Sequence, residues 1–144
     1  MSLIRRIVFD TSTLVSAALK PDSPPRKALL QALAHGDVCA SAQTFLELGK
    51  VMQRDKFDPY LSRNMRKDFV VMLRSSLHFF AVDGADEAAS LPACRDPKDQ
   101  KFLALSLVCQ ADALVSSDDD LLVLNPWRDM PVLRPAAFLL QLEG

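Results

Sequence analysis

Residues 4–18 constrain the fold of this 144-residue chain more than any other stretch. Ile7, Val8 and Phe9 form a short β-branched and aromatic run, the pattern of a buried strand. The run stops at Asp10, and Thr11-Ser12-Thr13 lead into the small apolar residues of a helix expected over 12–19. A carboxylate therefore stands where a central strand hands over to a helix. In open α/β sheets ligands bind there, in the crevice at the carboxyl ends of the strands. An aspartate at this place is equally suited to capping the next helix. Which task it serves depends on what else reaches the same rim.

The same alternation recurs along the chain. Ser23 followed by Pro24 opens a helix with Ala28, Leu29, Ala32 and Leu33 as its apolar stripe, and Gly36 stands where that helix should stop. Further strands are expected at 38–40, 77–82, 113–115 and 132–133, and further helices at 41–53, 62–74, 95–109 and 135–142. Phe45, Leu48 and Met52 should face inward from the first of these helices, and Met65, Phe69, Met72 and Leu73 from the second. The helix reaching Cys109 is apolar almost all round and should be buried on most sides. Residues 84–94 are small and acidic and read as a loop. Strand and helix in alternation imply an α/β fold in a single domain over 1–144. It should hold a central, mostly parallel five-stranded sheet between helices on both faces.

The net charge of −1 excludes a bulk field that would draw the chain to nucleic acid or membrane, so any polyanion must meet a local basic patch. Residues 50–74 offer one, with seven lysines and arginines against three aspartates. Lys50, Arg54, Arg63 and Lys67 are candidates for positioning the phosphates of such a partner. A solvated helix face has the same composition. Cys39, Cys94 and Cys109 are odd in number and widely spaced, which points to reduced thiols in the cytoplasm rather than disulfides or a zinc site. His35 and His78 have no metal-ligand spacing. No apolar stretch is long enough for a membrane span, and residues 1–10 lack the apolar core of a signal peptide.

The acids fall into a pattern. Parallel strands place their carboxyl ends on one rim, so Asp10 should lie near Asp118, the first of three aspartates after the fourth strand. Asp96 and Asp99 open the helix preceding that strand. Glu47 is one of only three glutamates and lies beside the apolar stripe of its helix, where pairing with Lys50 explains it as well as a role in a site does. Carboxylates crowded without lysine or histidine repel one another. A hard cation such as Mg²⁺ or Mn²⁺ neutralises a set of oxygen donors of this kind, and its usual work there is phosphoryl chemistry. Glycine-rich nucleotide cradles and the Gly-x-Ser-x-Gly elbow are absent.

These residues carry a resemblance. Ile7-Val8-Phe9-Asp10-Thr11-Ser12-Thr13-Leu14-Val15-Ser16-Ala17 resembles the opening motif of PIN-domain nucleases. Glu47, within Thr44-Phe45-Leu46-Glu47-Leu48, falls at their helical glutamate. Asp96-Pro97-Lys98-Asp99-Gln100-Lys101-Phe102-Leu103 resembles their third acidic motif, with Asp99 matching, and Leu114-Val115-Ser116-Ser117-Asp118 resembles the fourth, with Asp118 matching. Order and spacing agree over nearly the whole chain, and the subgroup most similar in pattern is the toxin-like one of bacterial toxin–antitoxin pairs. Ser12 stands where many members have asparagine, and Ser116-Ser117 replaces a common threonine–glycine pair.

The resemblance implies a PIN-like three-layer fold and an Mg²⁺- or Mn²⁺-dependent endoribonuclease that cleaves single-stranded RNA with metal-activated water. It implies Asp10, Glu47, Asp99 and Asp118 as catalytic metal ligands, supported by Ser12 and Ser116. From its own place before Pro97, Asp96 reads as the helix cap beside them. It also implies a homodimer and an antitoxin partner. One competing reading is an RNA- or protein-binding module on this fold with little catalysis; the four acids count against it without proving turnover. Another is a phosphoacceptor receiver domain, which wants a lysine after the fifth strand, where Arg134 is the only basic residue.

Overall fold

The structure, a computed structural model, describes residues 4–143. Met1, Ser2 and Leu3, which begin the amino-terminal stretch read above, and Gly144 lie outside the described residues.

Alternating side chains make β1 (Arg6–Phe9) the partition between two cores: Ile7 and Phe9 enter one and Val8 the other. β1 pairs in parallel with β2 (Asp37–Ala40) on one side and β4 (Ala113–Val115) on the other. β3 (His78–Phe79) and β5 (Val132–Leu133) extend the two edges, giving the order β3-β2-β1-β4-β5. The sheet is parallel throughout, where a mostly parallel one was expected. The chain builds outward from β1 to β3, then returns to the other side of β1 for β4 and β5. That reversal puts the topological switch point between β1 and β4.

Helices cover both faces, as three layers require. Leu14, Val15 and Ala18 of α1 (Thr11–Leu19), Leu29 of α2 (Pro24–His35) and Leu48 and Met52 of α3 (Ala42–Met52) pack onto Ile7 and Phe9. Leu73 of α4 (Arg63–Ser76) and Phe138 of α8 (Pro135–Glu143) complete this core, and the Phe138 ring meets Phe9 edge-on at 6.2 Å. On the opposite face α6 (Gln100–Cys109) and α7 (Asp119–Leu122) pack with Trp127 and Met130 against Val8 and Leu114. Seven of the ten residues of α6 are buried, in line with its largely apolar sequence.

Three local expectations need correction. The strand expected over 77–82 shrinks to the two exposed residues of β3, because its neighbour β2 ends at Ala40, whose carbonyl accepts the Phe80 N–H at 2.8 Å, before Ser41 caps α3. Residues 84–94 are not all loop: Asp83 and Asp86 form a reciprocal capping box that starts α5 (Gly84–Ala89). In α4 the inward face is rotated from the expected one. Met65 and Met72 are 58% and 61% exposed, while Arg66 is buried beside Leu73. Arg66 earns its burial through an ion pair of 2.6 Å with Asp58 and a 2.9 Å hydrogen bond to the Leu61 carbonyl, which tie the preceding turn to the helix.

Candidate active site

Asp10 is the residue after β1, and its backbone N–H continues the ladder to the Val115 carbonyl at 3.2 Å. It caps α1: one carboxylate oxygen accepts the Thr13 N–H at 2.9 Å. The capping and site readings of Asp10 are therefore compatible. Its other oxygen accepts the hydroxyl of Ser116, the residue after β4. Ser116 is fully buried and its oxygen also accepts the Asp118 N–H at 2.9 Å. One hydroxyl thus ties the first acid to the loop carrying the fourth. Ser12 stands further off, its hydroxyl 3.4 Å from Asp10. Burial pushes the Asp10 carboxyl above the usual range, hydrogen bonds from Ser116 and Thr13 pull it back, and the charge of Asp118 adds to the upward push.

Of the three consecutive aspartates, Asp118 alone lines the cleft. Asp119 pairs with Arg134 at 3.2 Å and Asp120 with Arg95 at 2.8 Å. Asp118 caps α7 by accepting the Asp120 N–H at 2.9 Å. Asp96 caps a 3-10 turn (Pro97–Asp99), accepting the Lys98 N–H at 2.9 Å. Asp99, at the start of α6, makes no capping bond, and its Oδ2 is buried without a hydrogen-bond partner. Its carboxyl is pushed up to about 7, first by burial, then by the neighbouring Asp118, and further by the charges of Asp96 and Asp10. Asp99 and Asp118 are close enough for one to hydrogen-bond the other when a proton is shared.

Glu47 projects from α3 into the same cleft but is already occupied. Its Oε1 accepts the Thr11 hydroxyl at 2.5 Å and its Oε2 lies 2.6 Å from the Lys101 ammonium. Lys50, the partner suggested by sequence spacing, forms none of these contacts. Lys101 also donates to the Lys98 carbonyl and sits over the Phe102 ring. The cluster is therefore not free of lysine, as the sequence reading took it to be. Lys101 and Thr11 are the site residues that reading missed. The signal was a lone lysine inside the apolar helix α6: a buried ammonium needs a carboxylate.

Asp10, Ser12, Glu47, Asp96, Asp99 and Asp118 all line one open cleft of about 310 Å³, together with Thr11, Arg54 and Lys98. Of the four basic candidates only Arg54 reaches it. Arg63 and Lys67 line a separate groove between α3 and α4, and Lys50 lines neither. Arg63 is also paired with Asp55. The donors are all oxygen, and the buried, unpartnered Asp99 Oδ2 is what a cation would satisfy, so the residues suit a hard divalent ion. Among the described residues no three or more histidine, cysteine or acidic side chains are drawn together closely enough to hold a metal ion as they stand.

The fold and cleft define an α/β protein with its acids gathered at the switch point of a parallel sheet. The family model described as PIN domain matches residues 6–120, and the chain belongs to that family. Three solved structures share the fold. VapBC2 from Rickettsia felis, bound to a DNA fragment from its promoter, aligns with a TM-score of 0.65 at 11% identity, over 88% of this chain and 96% of that one. A Pyrobaculum aerophilum protein aligns with a TM-score of 0.66 at 12% identity, over 99% and 93%. VapC20 from Mycobacterium tuberculosis, a toxin that cleaves the sarcin–ricin loop, aligns with a TM-score of 0.53 at 12% identity, over 79% and 92%. No curated protein sequence matches the chain. Among the described residues no helix is long and apolar enough to cross a membrane.

Proposed function

We propose that this protein is an Mg²⁺- or Mn²⁺-dependent endoribonuclease acting on single-stranded RNA, the toxin of a cytoplasmic toxin–antitoxin pair. The observation that carries the reading is the convergence of Asp10, Asp99 and Asp118 in one cleft, with a buried Asp99 oxygen left unpartnered. These three would hold the ion, which when bound supplies a lowered water pKa and charge neutralisation at the phosphate. The protein's own part is orientation. Ser116 fixes Asp10 and the Asp118 loop relative to one another. Asp96 shapes the turn that presents Asp99. Arg54 and Lys98, on the cleft wall, offer cations to the phosphates flanking the cut. A homodimer and an antitoxin partner follow from the family resemblance, the antitoxin with support from the likeness to VapBC2.

The test is cleavage of a generic single-stranded RNA with Mg²⁺, with Mn²⁺ and with EDTA, on the wild type and on Asp10→Asn. Metal-dependent cuts that vanish in EDTA and in Asp10→Asn support the proposal. RNA binding without cleavage under every condition would favour the binding-module reading instead.

A further inference from the structure

Glu47 is paired with a buried lysine, which none of the three aspartates is. One of its oxygens accepts the Thr11 hydroxyl from α1 and the other faces the Lys101 ammonium from α6. The Lys101 side chain is only 10% exposed, and that of Glu47 30%. The ammonium is fixed from a second side by the Lys98 carbonyl. In contrast, Asp99 keeps a buried oxygen with no partner. A divalent ion ligated by Oε2 would leave a buried lysine charge without its counter-ion, which is strongly unfavourable, and one ligated by Oε1 would compete with the Thr11 hydroxyl. The aspartates impose no such penalty.

We propose that Lys101 is a positioning residue that withholds Glu47 from direct metal ligation, so that the site takes one divalent cation on Asp10, Asp99 and Asp118. This deepens the nuclease reading and rests on it. Four acids at full charge would call for two divalent ions; with Lys101 neutralising Glu47, three charges remain for one ion. Lys101 thus occupies the electrostatic place of a second metal. The Glu47–Lys101 pair becomes a strut between α3 and α6 across the cleft, with Thr11 setting its angle.

Mn²⁺ binding to the full chain, followed by calorimetry and by the electron paramagnetic resonance of free Mn²⁺, tests this without any activity assay. Wild type should bind one Mn²⁺. The charge-balanced variant Glu47→Gln with Lys101→Met keeps near-isosteric side chains and the same net charge, so it should also bind one Mn²⁺ with affinity within about threefold of wild type. Lys101→Met alone frees a carboxylate and should bind a second ion, or bind the first at least about tenfold more tightly. Circular dichroism checks that each variant is folded. Loss of binding in the double variant, with its fold intact, would make Glu47 a ligand and overturn the inference while leaving the nuclease reading standing. Two ions on the wild type would do the same. No Mn²⁺ binding by the wild type would overturn both.

Discussion

Asp96 and Asp99 are three residues apart and chemically identical, yet they differ in what surrounds them. Asp96 serves the backbone: it caps the turn through the Lys98 N–H. Asparagine caps as well as aspartate, so Asp96→Asn should shift stability by less than about 0.5 kcal/mol and leave substantial RNA cleavage. Asp99 has no capping bond and a buried orphan oxygen, in a ring of like charges from Asp118, Asp96 and Asp10. Asp99→Asn should therefore be neutral or stabilising in EDTA and lose most of the cleavage and of the Mn²⁺-induced rise in melting temperature. A pH dependence follows for the metal-free protein. The folded Asp99 carboxyl is raised to about 7 from an ordinary 3.8, so the folded state holds a proton that the unfolded state has given up. Stability from this group is complete below the ordinary carboxylate range and is lost as pH rises toward about 7. Asp10 is raised in the same direction. Denaturant midpoints in EDTA should fall between about pH 4 and about pH 7 and level off above that, and Asp99→Asn should flatten that fall. An equal slope in both proteins would mean Asp99 is not the group responsible.

At the scale of elements, Gly36 stands where the sequence placed a helix stop, and α2 does end there. Its backbone is extended, however, and a Cβ would stand 2.6 Å from the Arg5 carbonyl oxygen and 2.9 Å from Ile7 Cδ1. The glycine lets the chain entering β2 close against β1. Gly36→Ala should cost about 1–3 kcal/mol, read as a lower midpoint in urea with an unchanged slope. The core strands and α6 were legible because local composition and burial agree: Ile7-Val8-Phe9 and Ala113-Leu114-Val115 are apolar and buried on both faces. The inward face of α4 was not, because a buried arginine replaces Met65 there and only its partners in the preceding turn, Asp58 and Leu61, make that tolerable. In the site, the aspartates could be read from their places at strand and helix ends. The Lys101–Glu47 pair could not, since the two lie on different helices and α3 carried a nearer lysine at an equally suitable spacing.

On the whole-molecule scale, a net charge of −1 supplies no long-range attraction for RNA, so affinity must come from individual cations placed along its path. The structure separates the basic candidates into two places. Arg54 opens onto the acid cleft, whereas Arg63 and Lys67 line a groove of about 450 Å³ with Met52 and Val70. Arg63 spends part of its charge on Asp55. Arg66, counted in the same basic run, is buried against Asp58 and withdrawn from any polyanion. Arg54→Ala should weaken RNA binding across sequences and lower the slope of log affinity against log salt by about one unit. Arg63→Ala combined with Lys67→Ala should lower it by nearer one unit than two, because among the described residues only Lys67 brings an unpaired cation to that groove. The measurement is fluorescence anisotropy of a labelled single-stranded RNA at several salt concentrations, in EDTA so that binding is seen without cleavage. If the double variant keeps the wild-type affinity and slope while Arg54→Ala does not, RNA is confined to the acid cleft and the α3–α4 groove is no part of its path. If neither set changes the slope, none of these residues touches phosphate, and the basic run of residues 50–74 is a solvated face.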